Sequence, residues 1–169
     1  CLLSRGLGDV YKRQGYHHTC ALLDNNTIKC WGRNHVGQLG QGNNQDQGDQ
    51  TSEMGNSLAI TDMGSVSFPV SIHSKGYHTC AVFNNGDLKC WGYNANGILG
   101  LGDTGNRGDG SSEMANNLAF VDIGAGETVA HIDVSERTTC VVTNLGEIKC
   151  WGANTYGQLG NQTNNIIGN

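Results

Sequence analysis

The chain has 169 residues, 26 of them glycine, with only 15% of its residues charged and a formal net charge of −5. This acidic balance without a basic patch argues against the phosphate backbone of a nucleic acid as the partner, and no apolar run is long enough to span a membrane. Abundant glycine with few charges favours short strands joined by tight turns over long helices.

The first segment, residues 1–14, matches no other part of the chain. Its sequence, CLLSRGLGDVYKRQ, resembles translated adaptor sequence, so we expect a non-native or unstructured head. The segment contains Cys1, which is the one cysteine of the seven that belongs to no repeated pair.

From Gly15 onward the chain repeats itself every sixty residues. Each copy carries Thr-Cys, nine further residues, and then Cys-Trp-Gly. The cysteines are Cys20 and Cys30, Cys80 and Cys90, and Cys140 and Cys150. A fixed period of this length marks an array of supersecondary units. We therefore divide the chain into repeat 1 (15–74), repeat 2 (75–134) and a truncated repeat 3 (135–169).

Each cysteine pair is predicted to face across a β-hairpin. In the first copy, residues 18–23 and 27–32 are strand-like, and Asn26 stands at the third loop position, which requires a left-handed backbone. Counting outward from this loop makes Cys20 and Cys30 a non-hydrogen-bonded pair, in which side chains approach closely. Opposed cysteines there can reach disulfide distance.

Cysteine pairs recurring at one spacing are typical of a disulfide framework in an oxidising compartment. We predict the bonds Cys20–Cys30, Cys80–Cys90 and Cys140–Cys150, and an extracellular or secretory-lumen location. Reduced thiols are the alternative and would place the protein in the nucleus or cytosol. Zinc binding is a further alternative, although zinc sites prefer cysteines separated by two to four residues.

Strand alternation assigns side chains to the two faces of each hairpin. In the first copy Cys20, Leu22, Ile28 and Cys30 share one face, and Ala21, Leu23, Lys29 and Trp31 share the other. Both faces are largely apolar in all three copies, which suits a sheet covered on both sides. We expect Lys29 and its counterparts to lay their stems along the tryptophan face and to reach water.

Two further strands are predicted in each complete repeat. They lie at about 58–62 and 66–72 in repeat 1, and at about 118–123 and 128–134 in repeat 2. Four antiparallel strands per sixty residues are typical of a propeller blade. The predicted fold is an all-β partial β-propeller of about three repeats, each forming a four-stranded antiparallel blade.

The motifs His-Thr-Cys-Ala, Lys-Cys-Trp-Gly and Asn-x-x-Gly-Gln-Leu-Gly resemble the regulator of chromosome condensation repeat over residues 15–169. The resemblance implies a propeller, typically of seven blades, in which each sequence repeat straddles two adjacent blades. It also implies that the remaining blades of the same propeller are partners of this segment. The founding member is an exchange factor for a small GTPase, and other members inhibit secreted β-lactamases or serve ubiquitin ligases.

Two long polar loops, 41–57 and 101–117, are expected to lie along one rim and to carry recognition. The candidate interaction residues are Asp46, Asp49, Glu53, Asp103, Asn106, Arg107, Asp109 and Glu113. Residues 103–110 also resemble a calcium loop but fail the EF-hand pattern. Arg107-Gly108-Asp109 is an integrin-type tripeptide, and Asn25 and Asn161 begin glycosylation sequons.

No catalytic constellation recurs in the repeats. His18 and His78 recur, but Arg137 and Thr138 occupy this region in repeat 3, so we expect histidines that hydrogen-bond within their own blade. We predict no enzyme activity, cofactor or metal site. The expected function is a protein-interaction scaffold with an unknown protein partner. The alternatives are guanine-nucleotide exchange on a small GTPase and inhibition of a secreted enzyme.

Overall fold

The computed structural model describes residues 11–165 and residue 168. Its strands are β1 (Tyr11–Gln14), β2 (His18–Leu22), β3 (Ile28–Gly32), β4 (Pro69–Lys75), β5 (His78–Phe83), β6 (Leu88–Gly92), β7 (Val129–Val134), β8 (Thr138–Thr143) and β9 (Ile148–Gly152). A single 3-10 turn at Ala115–Asn117 is the other regular element of the described residues. Within these residues no helix is long and apolar enough to cross a membrane. The predicted all-β class is confirmed.

The strands form three separate antiparallel sheets, β1-β2-β3, β4-β5-β6 and β7-β8-β9. The second sheet takes β4 from the end of repeat 1, and it takes β5 and β6 from repeat 2. A sheet therefore straddles two sequence repeats, because the last strand of one repeat pairs with the first hairpin of the next. Both β4 and β7 carry a register shift after their first residue.

The predicted fourth strand of each blade is reduced to a single contact. Segment 58–62 meets β3 only at an isolated bridge between Ile28 and Thr61, and in repeat 2 Val121 donates one backbone hydrogen bond to the Leu88 carbonyl. The ladder ends there because the next residue, Asp62, accepts a hydrogen bond from the Gly64 amide at 2.8 Å and turns the chain away. The expectation of four full strands is wrong for these segments.

Strand β1 lies inside the segment that the sequence assigned to an unstructured head. It pairs with β2, with Lys12 opposite Ala21, while residues 1–10 lie outside the described part of the chain. All four β1 side chains are exposed, whereas Ile72, in the equivalent register opposite Ala81, is 1% exposed. Backbone pairing, without side-chain burial, therefore holds Tyr11–Gln14 to the sheet. The non-native origin of the head stays a prediction.

The three hairpins have the predicted register. Cys20 lies opposite Cys30, and the equivalent cysteines face each other in the other two hairpins. The loop-closing residue Asn26 has a φ of 62°, in the left-handed region, as its position requires. The paired Sγ atoms lie 2.10, 2.10 and 2.19 Å apart, and each pair of Cα atoms lies 4.1 Å apart. All six cysteines are therefore at disulfide distance.

The hydrophobic core lies between neighbouring sheets. Cys20 and Ile28, on the cysteine face of the first sheet, share a cluster with Phe83 and Trp91, on the tryptophan face of the second. The cysteine face of the second sheet meets Trp151 of the third sheet in the same way. Trp91 is 0% exposed and Trp151 is 6% exposed. The predicted division of side chains between two apolar faces is confirmed.

Lys89 differs from the expectation that these lysines reach water. Its side chain is buried, and Nζ donates to the carbonyl oxygens of Met63 and Ala115 at 2.9 and 2.7 Å. Nζ also lies 4.7 Å from the centre of the Phe120 ring, which is a cation–π distance. Burial lowers the pKa of Lys89. The residues that surround the ammonium belong to loops between the sheets, which strand alternation alone does not locate.

Glycine–glycine contacts join successive repeats at the ends of the sheets. The Gly42 amide donates to the Gly108 carbonyl at 2.9 Å, and the Gly102 amide donates to that of Gly168 at 3.2 Å. Gly108 has a φ of 95°, and a Cβ there would lie 2.5 Å from the Gly37 carbonyl oxygen. Neighbouring loops approach this closely because both backbones lack side chains.

The cysteine pairing predicts a specific thiol count. In the chain secreted into an oxidising medium and then denatured without reductant, a thiol reagent should label Cys1 alone, and after reduction it should label all seven cysteines. Each closed loop should contribute about 2–3 kcal/mol to the free energy of unfolding. Mass spectrometry of the labelled chain measures the count. Seven labels without reductant would show that the cysteines are unpaired.

The glycine contact predicts unequal costs for two alanine substitutions in one loop. Gly102→Ala forces a left-handed alanine, with φ +79° and no atom within 4 Å of the new Cβ, and should cost about 1 kcal/mol of unfolding free energy. Gly108→Ala adds a clash with Gly37 and should cost about 1–3 kcal/mol more. Urea titration measures both variants. Equal costs would show that the two backbones separate freely.

Candidate interaction face

One face of the three sheets carries both long loops. Strands β3 and β6 end at Gly32 and Gly92, at the same end of the sheets as the turns 15–17, 76–77 and 135–137. Isolated bridges join Gly32 to Gln47 and Gly92 to Arg107, so both long loops begin at this end. We call this end the loop face. The tips of the three hairpins lie at the opposite end, which we call the hairpin face.

Two of the predicted interaction residues cap a backbone amide of their own repeat. Asp46 Oδ1 accepts a hydrogen bond from the Asn34 amide at 2.6 Å, and Asn106 Oδ1 accepts from the Asn94 amide at 3.0 Å. The same position therefore has the same role in both repeats. These two side-chain oxygens therefore already accept hydrogen bonds within the protein.

Glu53 and Glu113 fold back on their own loops in the same manner. Glu53 Oε2 accepts from the amides of Gly48 and Gln50 at 2.7 and 3.1 Å. In repeat 2, Glu113 Oε2 accepts from Gly108 and Gly110 at 3.0 and 2.8 Å. The backbone hydrogen bonds from Gly48 and Gln50 lower the pKa of Glu53. Both glutamate carboxylates therefore fix the backbone of their own loops by hydrogen bonds. Of the remaining candidates, Asp49 is exposed and Asp109 is half-buried.

The calcium-like segment 103–110 is closed around a side-chain amide. Asn94 Nδ2 donates to the carbonyl oxygens of Asp103 and Gly105, both at 2.9 Å. Arg107 forms an ion pair with Asp103, which lowers the pKa of that carboxyl against its desolvation. No group of three or more possible metal-ligating side chains occurs within residues 11–165. The carbonyl oxygens of Asp103 and Gly105 and the Asp103 carboxylate therefore already accept from nitrogen donors.

The integrin-type tripeptide and the two sequons lie in different surroundings. Gly108 is buried against Gly37, so the tripeptide around it is not a projecting loop tip. Asn25 is exposed on the hairpin face, and its Oδ1 accepts from the Thr27 hydroxyl at 2.7 Å. Asn161 is half-buried, and its Oδ1 accepts from Asn154 at 2.9 Å.

The recurring histidines bond to the next sheet, so the expectation of a bond within their own blade is wrong. His18 Nε2 lies 2.9 Å from Thr79 Oγ1, and His78 Nε2 lies 3.2 Å from Thr139 Oγ1. Thr139 donates its own proton to the Ile98 carbonyl at 2.9 Å, so it accepts from His78. Burial lowers the pKa of His18 to about 4 and that of His78 to about 3. Both side chains are therefore neutral at pH 7 and link neighbouring sheets by hydrogen bonds.

A groove on the loop face takes residues from all three repeats. It encloses about 320 Å³ and is lined by Arg33, His35, Val36, Tyr77, Tyr93, Glu136 and Arg137. We call it the aromatic groove. None of its residues was predicted as a candidate from the sequence.

The repeated framework holds the groove residues in place. The amide of the residue after each third strand donates to a carbonyl in the turn before the second strand: Arg33 to His17 at 2.8 Å and Tyr93 to Tyr77 at 3.0 Å. The Tyr77 ring also meets the edge of His35, with ring centres 5.8 Å apart. The groove is therefore built on rigid hairpin ends.

Charges in the groove divide into a paired and an unpaired set. Arg137 Nε lies 3.7 Å from Glu136 Oε1, and interaction with the same carboxylate raises the pKa of the Tyr16 hydroxyl. Arg33 forms no ion pair within 4 Å among the described residues. Desolvation, and then the charge of Arg33, lowers the pKa of His35, while the Asp46 carboxylate acts in the opposite direction.

The groove residues differ between repeats where the framework does not. Gly32, Asn34 and Gly37 recur in every copy. Three other positions change from repeat 1 to repeat 2 to repeat 3. The first holds Arg33, Tyr93 and Ala153, the second holds His35, Ala95 and Thr155, and the third, in the facing turn, holds His17, Tyr77 and Arg137. This disagreement between copies, next to invariant positions, is the sequence signal that would have found the groove.

Three stacked antiparallel sheets with repeated seams define a β-propeller repeat protein. The profile of the Regulator of chromosome condensation (RCC1) repeat matches the chain at residues 14–38, 70–98 and 129–158. The chain belongs to this repeat family.

Relatives with RCC1 repeats extend well beyond this chain. Probable E3 ubiquitin-protein ligase HERC4 of Homo sapiens is 29% identical over 149 residues, which are 88% of this chain and 13% of HERC4. Ultraviolet-B receptor UVR8 of Arabidopsis thaliana is 31% identical over 147 residues, 86% of this chain and 30% of UVR8. The chain thus spans less than a third of either relative.

A solved structure confirms the propeller architecture. The crystal structure of Kap60 bound to yeast RCC1 (Prp20) contains a chain that superimposes with a TM-score of 0.67 at 15% identity. The match covers 94% of this chain and 35% of that one. At this identity the likeness shows the fold, and the three sheets are blades of a partial propeller.

The buried histidines predict a stability that falls with acid. Unfolding restores the pKa of His78 from about 3 towards 6.5, so the unfolded state binds more protons between these values and stability is lost as the pH falls through them. Each such histidine contributes a slope of up to about 1.4 kcal/mol per pH unit. His78→Gln, which retains a donor for Thr139, should reduce the slope between pH 6 and 4. Urea titrations at each pH measure it, and an unchanged slope would contradict the assignment.

Proposed function

We propose that the chain is part of a non-catalytic protein-interaction scaffold whose partner binds in the aromatic groove. The observation that carries this proposal is the variation of the groove residues on an otherwise repeating framework. A position that serves only the fold has the same task in every blade, as Asn34 and Asn94 do. Arg33, Tyr77 and Arg137 have no such shared task.

The composition of the groove supports protein recognition. Tyrosine and arginine are the residues most enriched at the energetic centres of protein interfaces, since they combine a large contact area with hydrogen-bonding groups. Tyr77 and Tyr93 are half-buried, and their backbones are bonded to each other. Such side chains lose little further freedom when a partner covers them.

We also propose an oxidising compartment, extracellular or within the secretory pathway. The three cysteine pairs at disulfide distance support this proposal, because reducing compartments keep such cysteines as free thiols. Guanine-nucleotide exchange on a small GTPase and inhibition of a secreted enzyme are the alternatives to a scaffold role. The remaining blades of the propeller are, on this proposal, further partners of the exposed faces of the first and third sheets.

Site-specific cross-linking tests the scaffold proposal. A photoreactive phenylalanine at Tyr93 should capture a discrete protein from the secreted fraction of the source organism. The same residue at Leu145, which is 68% exposed on the hairpin face, should not capture that protein. Tyr77→Ser should reduce capture at position 93 at least about fivefold while the melting temperature is retained. Equal capture from both positions, or none at position 93, would contradict the proposal.

A further inference from the structure

Arg33 is an exposed cation that forms no ion pair within 4 Å among the described residues. Its guanidinium makes no side-chain hydrogen bond among residues 11–165, although its backbone amide is bonded to His17. The other groove arginine, Arg137, already lies beside Glu136. A guanidinium presents five N–H donors in a planar fork that fits a carboxylate in a bidentate manner.

The groove residues beside Arg33 are an imidazole, two phenol rings and a valine. Desolvation lowers the pKa of His35, which favours the neutral imidazole, and the ring of Tyr77 lies across it. Val36 and Tyr93 complete this side of the groove. An arginine fork therefore adjoins an aromatic and aliphatic surface that has room for one or two side chains, given the volume of about 320 Å³.

We propose that the aromatic groove recognises an extended segment of a partner protein in which an Asp or Glu side chain adjoins an aromatic or aliphatic one. The carboxylate pairs with Arg33, and the apolar side chain packs between Tyr77 and Tyr93. This inference rests on the proposed function and specifies the partner's chemistry.

Charge at the far end of the groove restricts the segment further. Glu136 would repel a second carboxylate, and it already holds Arg137 nearby. The exposed Asp46, which acts on His35, and the exposed Asp49 add negative charge to the same face of the molecule. A single acidic residue in an otherwise neutral segment therefore fits better than a uniformly acidic tail.

A display library of random dodecapeptides, fused through their carboxyl ends so that no free C-terminus is present, is the probe. Selection on the full chain should enrich peptides with Asp or Glu next to an aromatic or aliphatic residue. The enriched peptides are then synthesised with amidated C-termini, and their Kd values are measured by fluorescence anisotropy. Rising salt should weaken binding, because the contact includes an exposed ion pair.

Matched variants assign the carboxylate to Arg33. Arg33→Gln should raise the Kd of the enriched peptides about tenfold or more, since a charge-assisted bidentate pair is lost. Arg33→Lys should retain part of the affinity. Lys12→Gln removes the same charge from exposed strand β1, outside the groove, and should change the Kd less than about twofold. Equal melting temperatures show that the variants are folded.

Three results would overturn the inference. The first is enrichment of peptides without acidic residues, and the second is equal affinity for the parent chain and Arg33→Gln. If such peptides nevertheless lose affinity in Tyr77→Ser, the groove binds proteins by another chemistry and the scaffold proposal survives. Failure to enrich any peptide also overturns the inference, while cross-linking at Tyr93 decides the scaffold proposal independently.

Discussion

The cysteine face of each blade packs against the tryptophan face of the next, and this seam determines how the other elements are placed. At the seam, Trp91 Nε1 donates to the Gln38 carbonyl at 3.2 Å, so a buried aromatic ring also satisfies a loop of the preceding blade. Gly40 lies against the same nitrogen, where a Cβ would come within 3.0 Å. A blade on its own would leave both of its apolar faces bare, so each blade depends on its neighbours for most of its burial.

The seam also explains why the loop face is rigid enough to present a groove. The His78–Thr139 bond and the Gly108–Gly37 contact tie the turns of neighbouring blades together from inside. Side chains just outside these ties can change without disturbing the core. Tyr77 and Arg137 occupy one such position in successive repeats, and they hold chemically different groups on the same backbone.

Local rules predicted the hairpins, and contacts between repeats decided what those rules missed. The register of Cys20 and Cys30 follows from strand alternation and from the left-handed conformation of Asn26, which are properties of a dozen neighbouring residues. The burial of Lys89 depends on carbonyl groups 26 residues away in sequence, so a surface lysine and a buried one look alike in the local pattern. The groove was missed because its residues come from three repeats and share no motif.

Acidic side chains of the long loops are hydrogen-bonded to the backbone, whereas the cation Arg33 of the groove has no such internal partner in the described structure. Glu113 directs its carboxylate to two amides of its own loop, so its negative charge is already compensated by hydrogen bonds inside the protein. Arg33 has no such internal partner in the described structure, and its charge is directed outward although the chain as a whole is acidic. Net charge therefore describes the solubility of this molecule better than its recognition surface, because recognition depends on which charges the fold leaves uncompensated.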